Sequence, residues 1–441
     1  MTLSKQAEPS MLHTLAKHAP ESGNSTWNSI RENSLKNLNA IAFPHSRLED
    51  WRFLDLRPIS RTDFFPADEA GVLPATNAED FFIPESDRSR LVFVNGNYSE
   101  KLSSIGGLGK GITVGNLSDF ADNPSVEEYL NKLVNYEDDV FTEYNGVMLK
   151  DGAFIHLEEG AKAEAPIQIL NLYTDSAKPY IATPRILVVA EENSDMTIVE
   201  DHVGLSGNTY MTVPVSEVKV KKGAHIHHVR LQRDSENAFH IARPIAYVEQ
   251  NSEYHSYTIT LGAKISRNEP RIVQEAEEVN FTLDGLVLID GEQVADTHSV
   301  MDHRFSFGNS HQLHKVVVNG EAHSIFNGKI FVRKDAQKID SFQENRNLLL
   351  SDDGLVNTKP QLEIFADDVL CSHGATIGQL DAEEVFYLQS RGMTEEKAKE
   401  VLTYAFALET IENVKVESVH KLLIDEVYKY TKANNFETVN A

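Results

Sequence analysis

The sequence predicts a mainly β protein with helical regions at both ends. From about residue 91 to residue 377, short apolar runs such as LVFVNG (91–96), ILVVA (186–190) and KVVVNG (315–320) are broken by Gly, Asn or Asp. Such punctuation every several residues is typical of strands joined by turns. About the last 60 residues instead carry apolar side chains at helical spacing.

The length of the chain, 441 residues, exceeds the usual size of one compact core. We therefore expect about two or three domains, or one elongated domain. The boundaries that we predict are an N-terminal helical region and linker at 1–90, a β core at 91–380 and a C-terminal helical domain at 381–441.

The N-terminal region is polar, and its sparse apolar positions are Leu12, Leu15, Ile30, Leu35 and Leu38. They lead into FPHSRLEDWRFLDLRPI (43–59), where Trp51 and Phe53 are the expected packing anchors. The stretch at about 61–90 is rich in Pro, Ala and Asp, which is typical of a linker or a loosely packed arm.

The pattern of the β region predicts short strands, mostly of about three to five residues. It contains no strict period of a known solenoid repeat, and its Asp-Gly and Asn-Gly turns do not form simple hairpin pairs. A sandwich, a barrel and a solenoid therefore all remain open at this point.

The C-terminal region predicts three helices. Asp381 with Glu384 forms an approximate capping box, Gly392 stands where the first helix would end, and Thr394 is the N-cap candidate of the second. The apolar positions of the second and third helices are Ala398, Val401, Leu402, Ala405, Leu408, Val419, Leu422, Leu423, Val427 and Tyr428. These helices could cap the β region or dock a partner helix in a groove.

The composition is that of an ordinary soluble globular protein, with 41% hydrophobic and 24% charged residues. The formal net charge of −26 argues against binding to nucleic acid or to an anionic membrane surface. The chain has one cysteine, so a reducing compartment is expected, and we predict a cytoplasmic protein. Neither a secretory signal nor a membrane-spanning segment is evident in the sequence.

Two motifs offer alternative chemistry. His225 and His227 alternate along one predicted strand, a spacing seen in metal-binding β-barrels, so a metal-dependent β-barrel enzyme is the alternative function. The glycine-rich GGLGKGITVG (106–115) matches no phosphate-binding motif, and we expect it to be a mobile surface turn. A carbohydrate-active β-helix would need an aromatic or acidic groove, but both tryptophans, Trp27 and Trp51, lie outside the β region.

The segment VLCSHGATIG (369–378) holds the only cysteine, with Cys371 two positions before His373. On a strand these side chains project from the same face and form a small site for iron or sulfur. Two ligands cannot complete a metal site, so further ligands would have to come from another chain. The alternatives are a structural cysteine and a nucleophile–base pair, for which Cβ atoms about 6 to 7 Å apart are loosely placed.

The segment KPQLEIFADDVLCSHGATIGQLDAEEVFYLQSRGMTEE (359–396) resembles the SufB/SufD family of iron–sulfur cluster assembly scaffolds, as does the preceding stretch, 324–358. The segments LEDWRFLDL (48–56) and LVFVNGNYSEKLS (91–103) resemble the SufD branch. A SufB-type subunit must accept sulfur on thiolates, and this chain offers one thiol. The resemblance is therefore to SufD.

The resemblance implies a right-handed parallel β-helix core and a non-catalytic scaffold subunit. It implies pairing with a SufB-like chain and docking of a SufC-like ABC ATPase in a SufB–SufC₂–SufD complex, with a homodimer as an option in isolation. His373, with Cys371 ranked second, would ligate iron or a nascent cluster at the interface, and reduced flavin is expected in the complex. The residues expected to bind the ATPase are Val401, Leu402, Ala405, Leu408, Leu422 and Leu423.

Overall fold

The computed structural model describes Pro20 and residues 24–134 and 139–433. Seven α-helices lie in this part of the chain: α1 (Ser25–Leu38), α2 (Arg57–Ser60), α3 (Pro124–Tyr129), α4 (Val140–Val147), α5 (Ala382–Ser390), α6 (Glu395–Ile411) and α7 (Glu417–Ala433). Leu12 and Leu15, which the sequence placed in a helical region, fall outside the described residues.

The strands of the described part are β1 (Phe65–Pro66), β2 (Arg90–Val94), β3 (Asn97–Tyr98), β4 (Ile112–Asn116), β5 (Ala153–Leu157), β6 (Ile167–Tyr173), β7 (Tyr180–Ala182), β8 (Arg185–Ala190), β9 (Asp195–Gly204), β10 (Tyr210–Thr212), β11 (Val215–Val220), β12 (His225–Arg233), β13 (Phe239–Val248), β14 (Glu253–Thr260), β15 (Ile265–Asn268), β16 (Arg271–Gln274), β17 (Val279–Ile289), β18 (Val294–His303), β19 (Gly308–Val318), β20 (His323–Val332), β21 (Ile339–Leu349), β22 (Leu355–Ile364) and β23 (Val369–Gly378).

These strands wind into a parallel β-solenoid of about eight turns, which confirms the expected fold class. One sheet runs in the order β22-β20-β18-β15-β13-β11-β8-β5-β4, and the facing sheet runs in the order β23-β21-β19-β17-β14-β12-β9-β6-β2-β3. Each coil contributes a strand to both sheets, and consecutive coils pair in parallel register.

The spacing between coils is irregular, which explains why no period is visible in the sequence. His228 pairs with Ser256, 28 positions later, whereas Gln312 pairs with Gln343, 31 positions later. A repeat that varies by several residues between coils leaves no fixed sequence period.

The predicted strand length was wrong, because most strands from β9 onward span eight to eleven residues. The apolar runs are shorter than the strands because polar side chains also point into the solenoid. On β12, for example, His228, Arg230 and Gln232 are buried. The β region is also interrupted by α3 and α4, and part of the expected surface turn at 106–115 is strand β4.

The apolar core lies between the two sheets, and the outer face of each sheet is also covered. The N-terminal region packs on the first sheet, where the Trp51 ring lies 5.7 Å from Phe141 and 3.8 Å from the Arg267 guanidinium. Trp51 is therefore the predicted anchor, but Phe53 is 45% exposed and is not one. The C-terminal helices cover the facing sheet.

The caps predicted for the first two C-terminal helices are present. Asp381 caps α5 by accepting a hydrogen bond from the Glu383 amide, and Thr394 caps α6 by accepting one from the Lys397 amide. Gly392 follows α5 with φ +95°, a conformation that favours glycine. Among the described helices, none is long and apolar enough to cross a membrane.

Candidate functional site at the open end of the solenoid

The last coil leaves one end of the solenoid uncovered. In the described chain, β22 and β23 are the terminal strands of the two sheets, so each pairs on one side only. Apolar side chains are exposed here: Leu370 is 73% exposed, and Leu355, Phe365 and Ile377 are each more than half exposed. Unpaired strand edges flanked by apolar surface are suited to pairing with another chain.

His373 and Cys371 lie on this last strand, β23, and share its inward face. Cys371 pairs in register with Ser341, and His373 pairs with Gln343. Both Ser341 and Gln343 are buried in the solenoid interior. His373 is nevertheless exposed, since no further coil covers β23 in the described chain. The predicted shared face of the two residues is confirmed.

Cys371 is half-buried and packs against the apolar core between the sheets. This burial, together with the nearby Asp340 carboxylate, raises the pKa of the thiol to about 11. The side chain is therefore a neutral thiol at pH 7, and a thiol is a poor ligand until it loses its proton. His373 is the more accessible donor of the pair.

The described residues contain no group of three or more His, Cys, Asp or Glu side chains arranged to hold a metal ion. The pair at 371 and 373 thus lacks a third ligand within the described chain. Directly beneath His373, Gln343 is fully buried, and its Oε1 atom has no hydrogen-bond partner among the described residues.

The residues predicted to bind the ATPase differ in their exposure. Leu423 is 1% exposed and belongs to the core between the helices and the solenoid, so it is not at the surface. Ala405 is exposed, and the remaining four are half-buried: Val401, Leu402, Leu408 and Leu422. Sequence reasoning missed the most exposed apolar side chains of this domain, Phe386 (70%) and Tyr387 (57%) on α5.

Charged side chains join the C-terminal helices to the last coils. Lys315 on β19 is buried, donates to the Phe406 carbonyl oxygen at 2.8 Å and forms an ion pair with Glu409 of α6. Arg346 on β21 lies 3.2 Å from the same Glu409 carboxylate. Since β21 pairs with β23, α6 is connected through one intervening strand to the strand of His373.

Comparison with known proteins identifies the family. Residues 172–406 match the SUF system FeS cluster assembly, SufBD core domain, and residues 12–169 match the SufBD protein N-terminal region. The core match alone covers more than half of the chain.

The chain belongs to the SufBD family. An iron–sulfur cluster assembly SufBD family protein of Synechocystis sp. is 36% identical over 399 residues, which are 88% of each chain. Escherichia coli SufD is 28% identical over 89% of this chain and 90% of its own length. The chloroplastic protein ABCI7 of Arabidopsis thaliana is 31% identical over 87% of this chain and 82% of its own length. The predicted resemblance to SufD is confirmed, and this chain is an iron–sulfur cluster assembly subunit of the SufBD family.

Within the described ranges, His225 and His227 belong to no group of three or more His, Cys, Asp or Glu side chains arranged to hold a metal ion. Both lie on the outer face of β12, and His227 stacks on His255 with ring centroids 4.8 Å apart. The Lys415 ammonium lies 2.8 Å from His227 Nε2, so a cation already faces this nitrogen. Burial, His255 and Lys415 lower the pKa of His227 to about 4. Nothing in the SufBD comparisons or in these contacts supports the β-barrel enzyme.

Proposed function

We propose that this SufBD-family chain is a non-catalytic scaffold subunit of a SUF complex. Its open end pairs with a SufB-like paralogue, and its C-terminal helices dock a SufC-like ATPase. The observation that carries this proposal is the position of His373, on an exposed edge strand at the end of the solenoid interior. The single cysteine favours a reducing compartment, and we place the complex in the cytoplasm.

The pairing with a SufB-like chain rests on the shape and chemistry of the last coil. A strand edge presents unpaired N–H and C=O groups, and a second solenoid can satisfy them by adding its own edge. The exposed Leu370 and Ile377 on β23 would be buried by such a contact. A second copy of this chain presents the same edge, so a homodimer is the expected alternative when the paralogue is absent.

The docking of an ATPase rests on the C-terminal helices. Phe386 and Tyr387 form an exposed aromatic pair on α5, and large aromatic side chains are typical anchors of protein interfaces. Movement imposed on α6 would reach β19 and β21 through the contacts of Glu409 with Lys315 and Arg346. In this way ATP-driven rearrangement of the docked ATPase would open the interface at β23.

At that interface His373 would act as a ligand for iron or the nascent cluster, which is the cargo of the complex. An imidazole nitrogen binds iron but releases a finished cluster more readily than a fourth thiolate would. Cys371 remains the second candidate ligand after His373, because its raised pKa keeps the thiol protonated. The resemblance also implies reduced flavin in the complex, and we assign none of its contacts to this chain.

The proposal is tested by native mass spectrometry of the tagged chain, purified from its own cells without oxygen. We expect one copy of a cysteine-richer paralogue and two copies of an ATPase subunit. A partner-free protein that carries its own tightly bound metal would contradict the proposal.

Two surface variants separate the interfaces. Leu370→Asp should lose the paralogue and retain the ATPase, whereas the double variant Phe386→Ala and Tyr387→Ala should lose the ATPase that docks on this chain. Phe53→Asp is the matched control, since Phe53 is an exposed aromatic residue of the N-terminal region and should affect neither partner.

A further inference from the structure

A row of amides inside the last coils ends beneath His373. Gln312 on β19 pairs in register with Gln343 on β21, and Gln343 pairs with His373 on β23. Residues in parallel register point to the same face from strands about 4.8 Å apart, so the three side chains form one ladder. His373 is the last member, because β23 is the terminal strand of its sheet in the described chain.

The two glutamine amides of this ladder are hydrogen-bonded to each other. Gln343 Nε2 donates to Gln312 Oε1 at 2.8 Å, and Gln312 Nε2 donates to Ser299 Oγ at 2.9 Å. Gln343 thus gives its N–H to the amide of the preceding coil. Gln312 Oε1 also lies 3.1 Å from Ser299 Oγ, which is on β18 of the facing sheet. The Oε1 atom of Gln343 makes no hydrogen bond to a described residue, and the residue that follows Gln343 in the row is His373.

The Gln343 amide is also confined in place. A Cβ atom on Gly328 would lie 2.4 Å from Gln343 Nε2, so the amide fills the space that this glycine leaves. Gln343 is 0% exposed, and its Oε1 has no partner among the described residues. Because a buried carbonyl oxygen is nearly always hydrogen-bonded, we expect Gln343 Oε1 to accept a hydrogen bond from a nearby donor.

We propose that Gln343 is a positioning residue for His373, with Gln343 Oε1 accepting a hydrogen bond from one imidazole N–H. This bond fixes the tautomer and directs the lone pair of the other ring nitrogen out of the end of the solenoid. Histidines that bind metals commonly donate their second N–H to a carbonyl or carboxylate, which sets the ring orientation. The inference rests on the proposed role of His373 as a ligand.

The neighbouring interior amides do not offer the same contact. Asn345 Oδ1 already accepts hydrogen bonds from Thr358 Oγ1 and Asn347 Nδ2, both at 2.7 Å. Asn347 Oδ1 is buried without a partner in the described part, but Asn347 pairs in register with Ile377, which has no side-chain donor. Gln343 alone among these three combines a free oxygen with a histidine in its own row.

The test is the tautomer of His373 in the full-length chain, read from the ring ¹⁵N chemical shifts after selective histidine labelling. His373→Gln assigns the signal. We expect one tautomer to dominate in the wild type. In Gln343→Met the tautomer ratio should move by roughly threefold to tenfold, the effect of losing one hydrogen bond.

Two further variants separate positioning from folding. Gln343→Glu keeps an acceptor and should keep the wild-type tautomer, so a mixed tautomer in this folded variant would overturn the proposal. Asn347→Leu removes an interior amide of the same strand and should leave His373 unchanged. Equal tautomer ratios in the wild type and Gln343→Met, or an equally large shift in Asn347→Leu, would also overturn it.

The tautomer ratio of His373 is measured independently of the proposed assembly with partners. A chain that shows the tautomer shift but purifies without partners would contradict the proposed function and leave the hydrogen bond standing. A chain that assembles with its partners but shows no shift would refute the role of Gln343 alone.

Discussion

At the scale of single residues, His373 and Cys371 share a face but differ in chemistry. His373→Ala should lower the yield of assembled cluster by about tenfold or more, since even outer-shell partners of a metal ligand typically contribute about tenfold to a hundredfold. Cys371→Ser should have the smaller effect, because the thiol has a pKa of about 11 and is protonated at neutral pH. Cluster content by absorbance and iron analysis of the purified complex measures both effects.

The complex itself should remain assembled in His373→Ala, because the side chain is exposed. Native mass spectrometry on the same preparation provides this control. Normal cluster yield in an intact complex would remove His373 from the mechanism.

The sequence could predict the pair but not its surroundings. An i, i+2 spacing on a strand is enough to place Cys371 and His373 on one face. Gln343 lies 30 positions before His373, and only the register between β21 and β23 brings the two together. Similarly, the burial of Leu423 depends on which face of α7 meets the solenoid, and the apolar pattern of the helix does not determine that.

At the scale of elements, the contact of α6 with the solenoid depends on a buried ammonium group. Lys315 is 2% exposed, and Glu409 is its carboxylate partner. Glu409→Gln should lower the free energy of unfolding by about 1 to 2 kcal/mol, since it leaves a buried cation without its counterion while the half-exposed position of Glu409 limits the effect. Thermal or urea unfolding of the isolated chain measures this loss.

The double variant Lys315→Met and Glu409→Gln is the matched control. Lys315→Met removes the buried ammonium group that Glu409→Gln leaves without a counterion, so the double variant should recover part of the stability lost in Glu409→Gln. The recovery is incomplete because the Phe406 carbonyl oxygen also loses its donor. If adding Lys315→Met recovered none of the stability lost in Glu409→Gln, the ion pair of Lys315 with Glu409 would not stabilise this contact.

At the scale of the whole molecule, the sequence predicted a β region followed by helices, but not how the strands wind into coils. Strand signals and helix caps are local, and Asp381 and Thr394 cap their helices as expected. The winding depends on pairing between coils some 28 to 31 residues apart, and the interior rows contain buried polar groups such as Arg230 and Gln232 that hide the apolar alternation of a strand. The resemblance to the SufBD family supplied the architecture that the pattern alone left open.

The same polar interior makes the solenoid sensitive to acid. His303 and His314 are buried, and burial lowers the pKa of His303 to about 3 and that of His314 to about 4. In the unfolded chain both residues bind a proton below pH of about 6.5. The unfolded state therefore binds more protons between pH 6.5 and 4, and the free energy of unfolding must fall as the pH is lowered through this range.

We expect each of these histidines to remove about 2 kcal/mol of stability between pH 6.5 and pH 5, well above the range in which carboxylates titrate. The half-buried His311 acts in the opposite direction, because the Asp284 carboxylate raises its pKa, but it is a single group.

Urea unfolding at pH 7, 6 and 5 measures the slope of the free energy of unfolding against pH. His314→Gln should reduce this slope by the contribution of one histidine. A slope that His314→Gln leaves unaltered would mean that the interior admits water or protons to this histidine, and the solenoid would then be a more open structure than its packed rows indicate.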